Sequence, residues 1–135
     1  MITDARCRGE PGNDRELKLD PEPSSVRKAR DFVAKQLTEL GFPRCVEDGI
    51  LIASELVTNA QKAAPETPCL LAVRVDAGYH PVIEVHDTSP EPPELRDPDF
   101  FSEEGRGLHI VDALCEAWDC VTSGHGKAII ATLRR

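Results

Sequence analysis

Residues 46–64 read VEDGILIASELVTNAQKAA, and this stretch decides the fold class. Its main apolar stripe recurs at helical spacing and comprises Val46, Ile50, Ala53, Val57, Ala60 and Ala64. The predicted helix starts near Pro43 and ends before Pro65, because proline fits only the first turn of a helix. Glu55 and Asn59 are four residues apart and therefore project from one face, opposite the stripe. The stretch predicts a long amphipathic helix that carries a polar pair.

The segments on either side of this helix complete an α+β pattern. Strands are predicted over residues 15–19, 69–76, 82–87, 119–123 and 127–133, with turns around Gly78 and Pro81 and at residues 124–126. A first helix is predicted from the N-cap candidates Ser24 and Ser25 to Gly41, and a third directly after the glycine-containing segment that starts at Gly105. The third helix is marked by Leu108, Val111, Leu114 and Trp118. This order predicts a two-layer α/β sandwich: one mixed, mostly antiparallel sheet with three helices on one face.

Length and charge narrow the classes of function. The 135 residues predict one domain over residues 15–135, preceded by a flexible tail at residues 1–14. Acidic residues outnumber basic ones 24 to 16, which gives a net charge of −8. This balance disfavours direct binding of nucleic acid or of an anionic membrane, because both need a basic surface.

The cysteines and the apolar pattern indicate a cytoplasmic location. The five cysteines are odd in number and none are spaced as CxxC, so we expect neither a zinc site nor a disulfide framework. The N-terminus lacks the apolar segment of a secretory signal. No stretch approaches the roughly 18 apolar residues of a membrane span.

Three features can carry chemistry. Glu55 and Asn59 are bordered by Leu51, Ile52 and Leu56, so they need a partner such as a metal, a phosphate or a polar ligand. Residues 105–108, Gly-Arg-Gly-Leu, stand directly before a predicted helix, where backbone N–H groups can bind phosphate. Asp87 ends an apolar strand and can accept a hydrogen bond from an exocyclic amine such as that of adenine. Taken singly, each has an ordinary alternative: a polar pair bonded to a loop, a helix start, and an Asp that caps a turn.

In chain order these features resemble the sequence boxes of one superfamily. ELVTN (55–59), VIEVHDTSP (82–90), GRGLHIV (105–111) and the late GK (126–127) are similar to the N, G1, G2 and final boxes of the GHKL ATPases. The resemblance covers about residues 16–134. It is nearest to the small bacterial anti-sigma factor serine/threonine kinases of actinobacterial type, and it implies a Bergerat-type sandwich.

The resemblance implies a role for each site residue. Asn59 would ligate Mg²⁺, Glu55 would act as general base, and Asp87 would bind the adenine amine of ATP. The other implied nucleotide contacts are Lys62, Gly105, Arg106, Gly107 and Leu108. Residues 88–104 hold four of the 11 prolines, and the stretch from Asp87 to Glu104, both included, holds seven acidic residues, so we expect a mobile lid over residues 88–104.

The same resemblance implies partners. It predicts phosphorylation of a serine on an anti-anti-sigma antagonist protein, control of a sigma factor, and a homodimer as one assembly to test. Arg27, Lys28, Arg30 and Lys35 on the first helix would either dock such a partner or form an ordinary solvated face.

Three positions depart from the boxes. Residues 87–91 contain no glycine, Ala63 stands where relatives commonly have histidine, and Lys127 stands where relatives often have threonine. These departures keep a second interpretation open: a catalytically silent partner-binding module, with or without ATP. A stand-alone metabolic ATPase is disfavoured, because the chain shows no second domain to use hydrolysis.

Overall fold

The computed structural model describes residues 15–89 and 103–135. The predicted tail at residues 1–14 and most of the predicted lid lie outside the described residues. The elements in chain order are β1 (Glu16–Leu19), α1 (Ser24–Glu39), a 3-10 turn (Pro43–Cys45), α2 (Val46–Ala63), β2 (Cys69–Val75), β3 (Pro81–Asp87), α3 (Glu103–Leu114), β4 (Cys115–Ser123) and β5 (Gly126–Leu133).

The strands form one open sheet in the order β1-β2-β3-β5-β4, and the predicted α+β sandwich is confirmed. The sheet is not mixed, because every pairing between the described strands is antiparallel. The register places Leu71 opposite Val85, and Val85 opposite Ile129, so one apolar row crosses the three central strands. Side chains alternate along a strand, and this row therefore faces the helices throughout.

The core lies between the helices and this face of the sheet. It is aliphatic and includes Val33, Leu37, Ile52, Leu56, Val57, Leu71, Ile83, Val85, Val111 and Ile129. A Cβ atom placed on Gly49 would lie 2.5 Å from Cδ1 of Leu37 and 3.2 Å from Cγ1 of Val33. The missing side chain at Gly49 thus lets α1 and α2 pack closely.

The helix predictions are confirmed in kind and corrected in detail. The buried face of α2 comprises Gly49, Ile52, Ala53, Leu56, Val57 and Ala60. Val46 and Ile50 are only half-buried, so the true stripe is rotated toward Ile52 and Leu56. The rotation follows from Gly49, whose bare backbone faces α1 directly.

The start of α1 also differs from the prediction. Pro23 is the N-cap residue rather than Ser24 or Ser25, and no side chain caps this end. Its ring presets φ, which is −59° here, and the helix therefore begins directly after it. The Ser25 hydroxyl donates instead to the carbonyl of Asp20 at 2.7 Å.

Trp118 was predicted on the third helix but belongs to β4. The helix ends at Leu114, and β4 begins at Cys115, which pairs with Leu133. Trp118 pairs with Ala131 and packs against the core, while its Nε1 donates to Asp112 at 2.9 Å. The spacing from Leu114 to Trp118 matched a helix, but a full strand of partners on β5 outweighs that local pattern.

No helix in the described ranges is long and apolar enough to cross a membrane.

Candidate nucleotide-binding site

Helix α2 presents the predicted polar pair on the side away from the core. Glu55 and Asn59 are both half-buried, and Leu51 on the same face is 47% exposed. Successive turns separate the two polar residues by about 6 Å along the helix axis. Lys62 is exposed in the last turn, where its charge suits the negative end of the helix dipole.

Asp87 ends β3 and is buried. It shares the core-facing row with Ile83 and Val85. The backbone N–H of Ser89 donates to its Oδ1 at 2.8 Å. Across the strand pair stands Lys127, whose Nζ lies 3.1 Å from Oδ1 and 3.1 Å from Oδ2 of Asp87.

The C-terminal end of α2 lies at the same end of the sheet as Asp87, the last residue of the central strand β3. Gln61 donates to the carbonyl of Glu22 at 2.8 Å, which places the last turn of α2 beside the end of β1. Leu19, the last residue of β1, pairs with Cys69 at the start of β2. Just past α2, Thr67 Oγ1 lies 2.7 Å from Thr88 Oγ1, next to Asp87. From Glu55 to Asn59, α2 therefore leads toward the end of the sheet at which Asp87 lies.

The glycine-containing segment of residues 105–107 lies inside α3 rather than before it. The helix begins at Glu103, two residues before Gly105, and so includes the segment that was expected to precede it. Its unpaired N–H groups therefore belong to the first turn, from Glu103 to about Gly105. Leu108 is 3% exposed, and α3 packs against α2. The structure thus brings α3 to the helix that carries Glu55 and Asn59.

Two residues at this end of the sheet, Gly126 and Lys127, were not assigned a role from the sequence. Gly126 has φ +150°, and a Cβ there would lie 2.0 Å from the carbonyl oxygen of Asp87. Lys127 alternates in phase with Ile129 and Ala131, which face the core. That two-residue period is the signal that could have found it, because a lysine on a core-facing row requires a buried partner.

Cys69 is buried beside this carboxylate. Burial, together with the negative charge of Asp87, raises the pKa of the Cys69 thiol from 9.0 to about 11. The thiol therefore stays protonated at neutral pH and packs as a small apolar group. Within the described part of the chain, no cluster of three or more His, Cys, Asp or Glu side chains could hold a metal by itself.

The chain belongs to the histidine kinase-like ATPase domain family, whose profile matches residues 19–133. No curated protein matches it in sequence. Its fold is similar to that of the RsbU and RsbW domains of a Mycobacterium tuberculosis protein, with a TM-score of 0.64 and 19% identity over 88% of this chain. This chain spans 32% of that one. The fold is also similar to a chain of the SiaB–SiaC complex from Pseudomonas aeruginosa, with a TM-score of 0.56, 12% identity and 98% coverage of both chains.

The roles that the resemblance implies for an ATP site are matched differently by the described residues at its two implied ends, one for the phosphates and one for the base. At the phosphate end, Asn59 offers an amide oxygen of the kind that Mg²⁺ accepts, with Glu55 one turn away and Lys62 at the helix end. At the base end, the Asp87 carboxylate has the predicted place and burial, but Lys127 already bonds both of its oxygens.

Proposed function

We propose that this chain is an ATP-binding protein serine/threonine kinase that phosphorylates an anti-anti-sigma antagonist and so controls the availability of a sigma factor. One observation carries the proposal: the half-buried carboxylate of Glu55 and amide of Asn59 lie one turn apart on α2, and α2 leads to the end of the sheet where Asp87 is buried. The family match supports it, as does the fold shared with part of a chain that contains RsbU and RsbW domains. The fold shared with a chain of a two-protein complex supports a protein partner.

The chain's own residues would divide the work as follows. Glu55 would accept the proton of the attacking serine hydroxyl, and Asn59 would hold the metal through its amide oxygen. Lys62 adds positive charge at the exposed end of α2. When bound, Mg²⁺ and ATP supply the phosphoryl group and the neutralisation of its charge; the protein contributes position and electrostatics.

Transfer of labelled phosphate tests the kinase activity. The chain is incubated with labelled ATP, Mg²⁺ and candidate antagonist proteins encoded by neighbouring genes. Glu55→Gln should slow transfer by roughly 10²- to 10⁴-fold at nearly unchanged ATP affinity, because a general base is lost. Glu47→Gln is the matched control, since Glu47 is exposed on the first turn of the same helix. A Glu55→Gln protein that transfers phosphate at the parent rate would remove Glu55 from the mechanism.

The metal role of Asn59 has its own measurement. Asn59→Ala should weaken ATP binding in the presence of Mg²⁺ and leave the residual binding without Mg²⁺ unchanged. Equal losses with and without the metal would contradict the assignment.

The Lys127–Asp87 ion pair favours a second candidate, a catalytically silent module that binds its partner without turnover. Capture of the antagonist protein by the parent chain, with and without ATP, separates the two functions. Stable capture without any phosphate transfer would establish the silent module, and labelling of the captured protein would exclude it.

A further inference from the structure

The side chains of Lys127 and Asp87 form a buried ion pair at the base end of the site. They are 6% and 3% exposed, and they stand opposite each other on β5 and β3. The ammonium lies equally far, 3.1 Å, from both carboxylate oxygens and therefore bridges them. Both charges are thus neutralised within the protein, away from water.

The hydrogen bonds of this pair are nearly all used. Asp87 receives bonds from Lys127 on both oxygens and from the Ser89 N–H on Oδ1. A carboxylate has about four acceptor positions, so roughly one stays open. Lys127 spends its third donor on the carbonyl of Ser89 at 3.5 Å. The described residues satisfy both charges without a ligand.

A nucleobase that uses Asp87 must compete with this arrangement. The exocyclic amine of adenine is a neutral donor, and its hydrogen bond to the carboxylate is weaker than the charge-assisted bond from an ammonium. A displaced ammonium also needs a new partner or access to water, because an unpaired buried charge is strongly disfavoured. Replacing the ammonium by the adenine amine at Asp87 is therefore unfavourable, and this lowers the affinity for the nucleotide.

On the basis of the proposed ATP site, we propose that Lys127 is a specificity-determining residue that occludes the base pocket. Its ammonium holds the carboxylate that would take the adenine amine, and ATP binds weakly because it must displace that ammonium. A neutral side chain at position 127 frees the carboxylate of Asp87 for the adenine amine. The opened pocket is selective for adenine, since guanine presents its O6 acceptor where adenine presents the amine donor, and a carboxylate repels an acceptor.

Calorimetric titration of the full chain with Mg²⁺–ATP and Mg²⁺–GTP tests this. Lys127→Thr should gain about tenfold or more in ATP affinity and little in GTP affinity. Lys18→Thr is the matched control, because Lys18 is an exposed lysine on β1, and its affinity should equal that of the parent. Lys127→Met is the second variant, for the case in which the threonine protein does not fold: it keeps the length of the side chain but removes the ammonium that holds Asp87, so it should also gain ATP affinity.

The outcomes separate the inference from the proposed function. A parent that binds ATP and loses affinity in the folded variants would overturn the occlusion alone, because Lys127 would then support the base. Equal affinity in parent and variants would overturn it as well. Absence of ATP binding by the parent and by every folded variant would overturn the proposed ATP site, and the occlusion with it.

Discussion

The buried thiol of Cys69 couples the stability of the protein to alkaline pH. Its pKa is raised from 9.0 to about 11 by burial and by the charge of Asp87, so the folded protein keeps a proton that the unfolded chain releases. This contribution to stability is complete below pH 9.0 and is lost as pH rises toward about 11.

Urea denaturation across this pH window measures the coupling. The parent should lose more unfolding free energy between pH 9.0 and about 11 than Cys69→Ala does. Cys120→Ala serves as the comparison: burial also raises the pKa of the Cys120 thiol, but Cys120 is only half-buried, so its removal should flatten the pH curve less than removal of Cys69. Parallel pH curves for the parent and Cys69→Ala would show that Cys69 titrates alike in both states.

A second buried carboxylate, that of Glu84, lies on the face of the sheet away from the helices. It contacts two side chains of different charge strength, Arg74 and His86. The Glu84 side chain is 1% exposed, and Arg74 Nε lies 2.5 Å from its Oε2 while His86 Nε2 lies 3.1 Å from its Oε1. Arg74 is 31% exposed and can regain water if Glu84 is lost. The two single substitutions should therefore differ in cost.

Arg74→Met should destabilise the fold by about 3–5 kcal/mol, since it removes the cationic partner of a carboxylate that is 1% exposed. Glu84→Met should cost less, and the double variant should resemble Glu84→Met. Urea denaturation gives the three values; equal losses in the two single variants would contradict the asymmetry.

Among the elements, α1 carries four exposed cations on an acidic chain. Arg27, Lys28, Arg30 and Lys35 are all exposed, as predicted. Under the proposed function, this face would steer an acidic partner, and reversal of Arg27 and Arg30 to Glu should slow association and reduce its salt dependence.

The control for this prediction reverses Lys18 and Arg44 to Glu. Both are exposed outside α1, and the change in net charge is the same. Stopped-flow association at several salt concentrations compares the two double variants. If both slow association equally, net charge is responsible and α1 is an ordinary solvated face.

The elements also show what the sequence can predict. The position of α2 follows from its helical apolar period and its flanking prolines, and the hairpin of β4 and β5 follows from Gly124 and Gly126. The place of Trp118 does not, because its spacing fits a helix equally well and only the pairing of β4 with β5 decides. The tilt of the buried stripe on α2 depends on Gly49, which is small enough to face another helix.

At the scale of the whole molecule, the candidate site is a product of topology. Glu55 and Asn59 could be paired from their spacing alone. Asp87 and Lys127 are 40 residues apart, and their contact needs the register of β3 with β5. Lys127 departs from the final box of the family that the chain resembles, and this departure is visible in the sequence. Its bond to Asp87 is not, because that bond depends on the pairing of β3 with β5.

The open sheet leaves β4 as the longer of its two outer strands, with nine residues against four in β1. The free backbone groups of such an edge strand can pair with a strand of another copy of the chain. Here the register shifts between Cys115 and Ala117, and the exposed carboxylates of Glu116 and Asp119 lie along the same strand. Asp119→Val should therefore raise light scattering on mild heating, whereas Asp31→Val on the exposed side of α1 should not. The charges on β4 would then act as a guard against amyloid-like self-association, a role that depends on neither nucleotide nor partner.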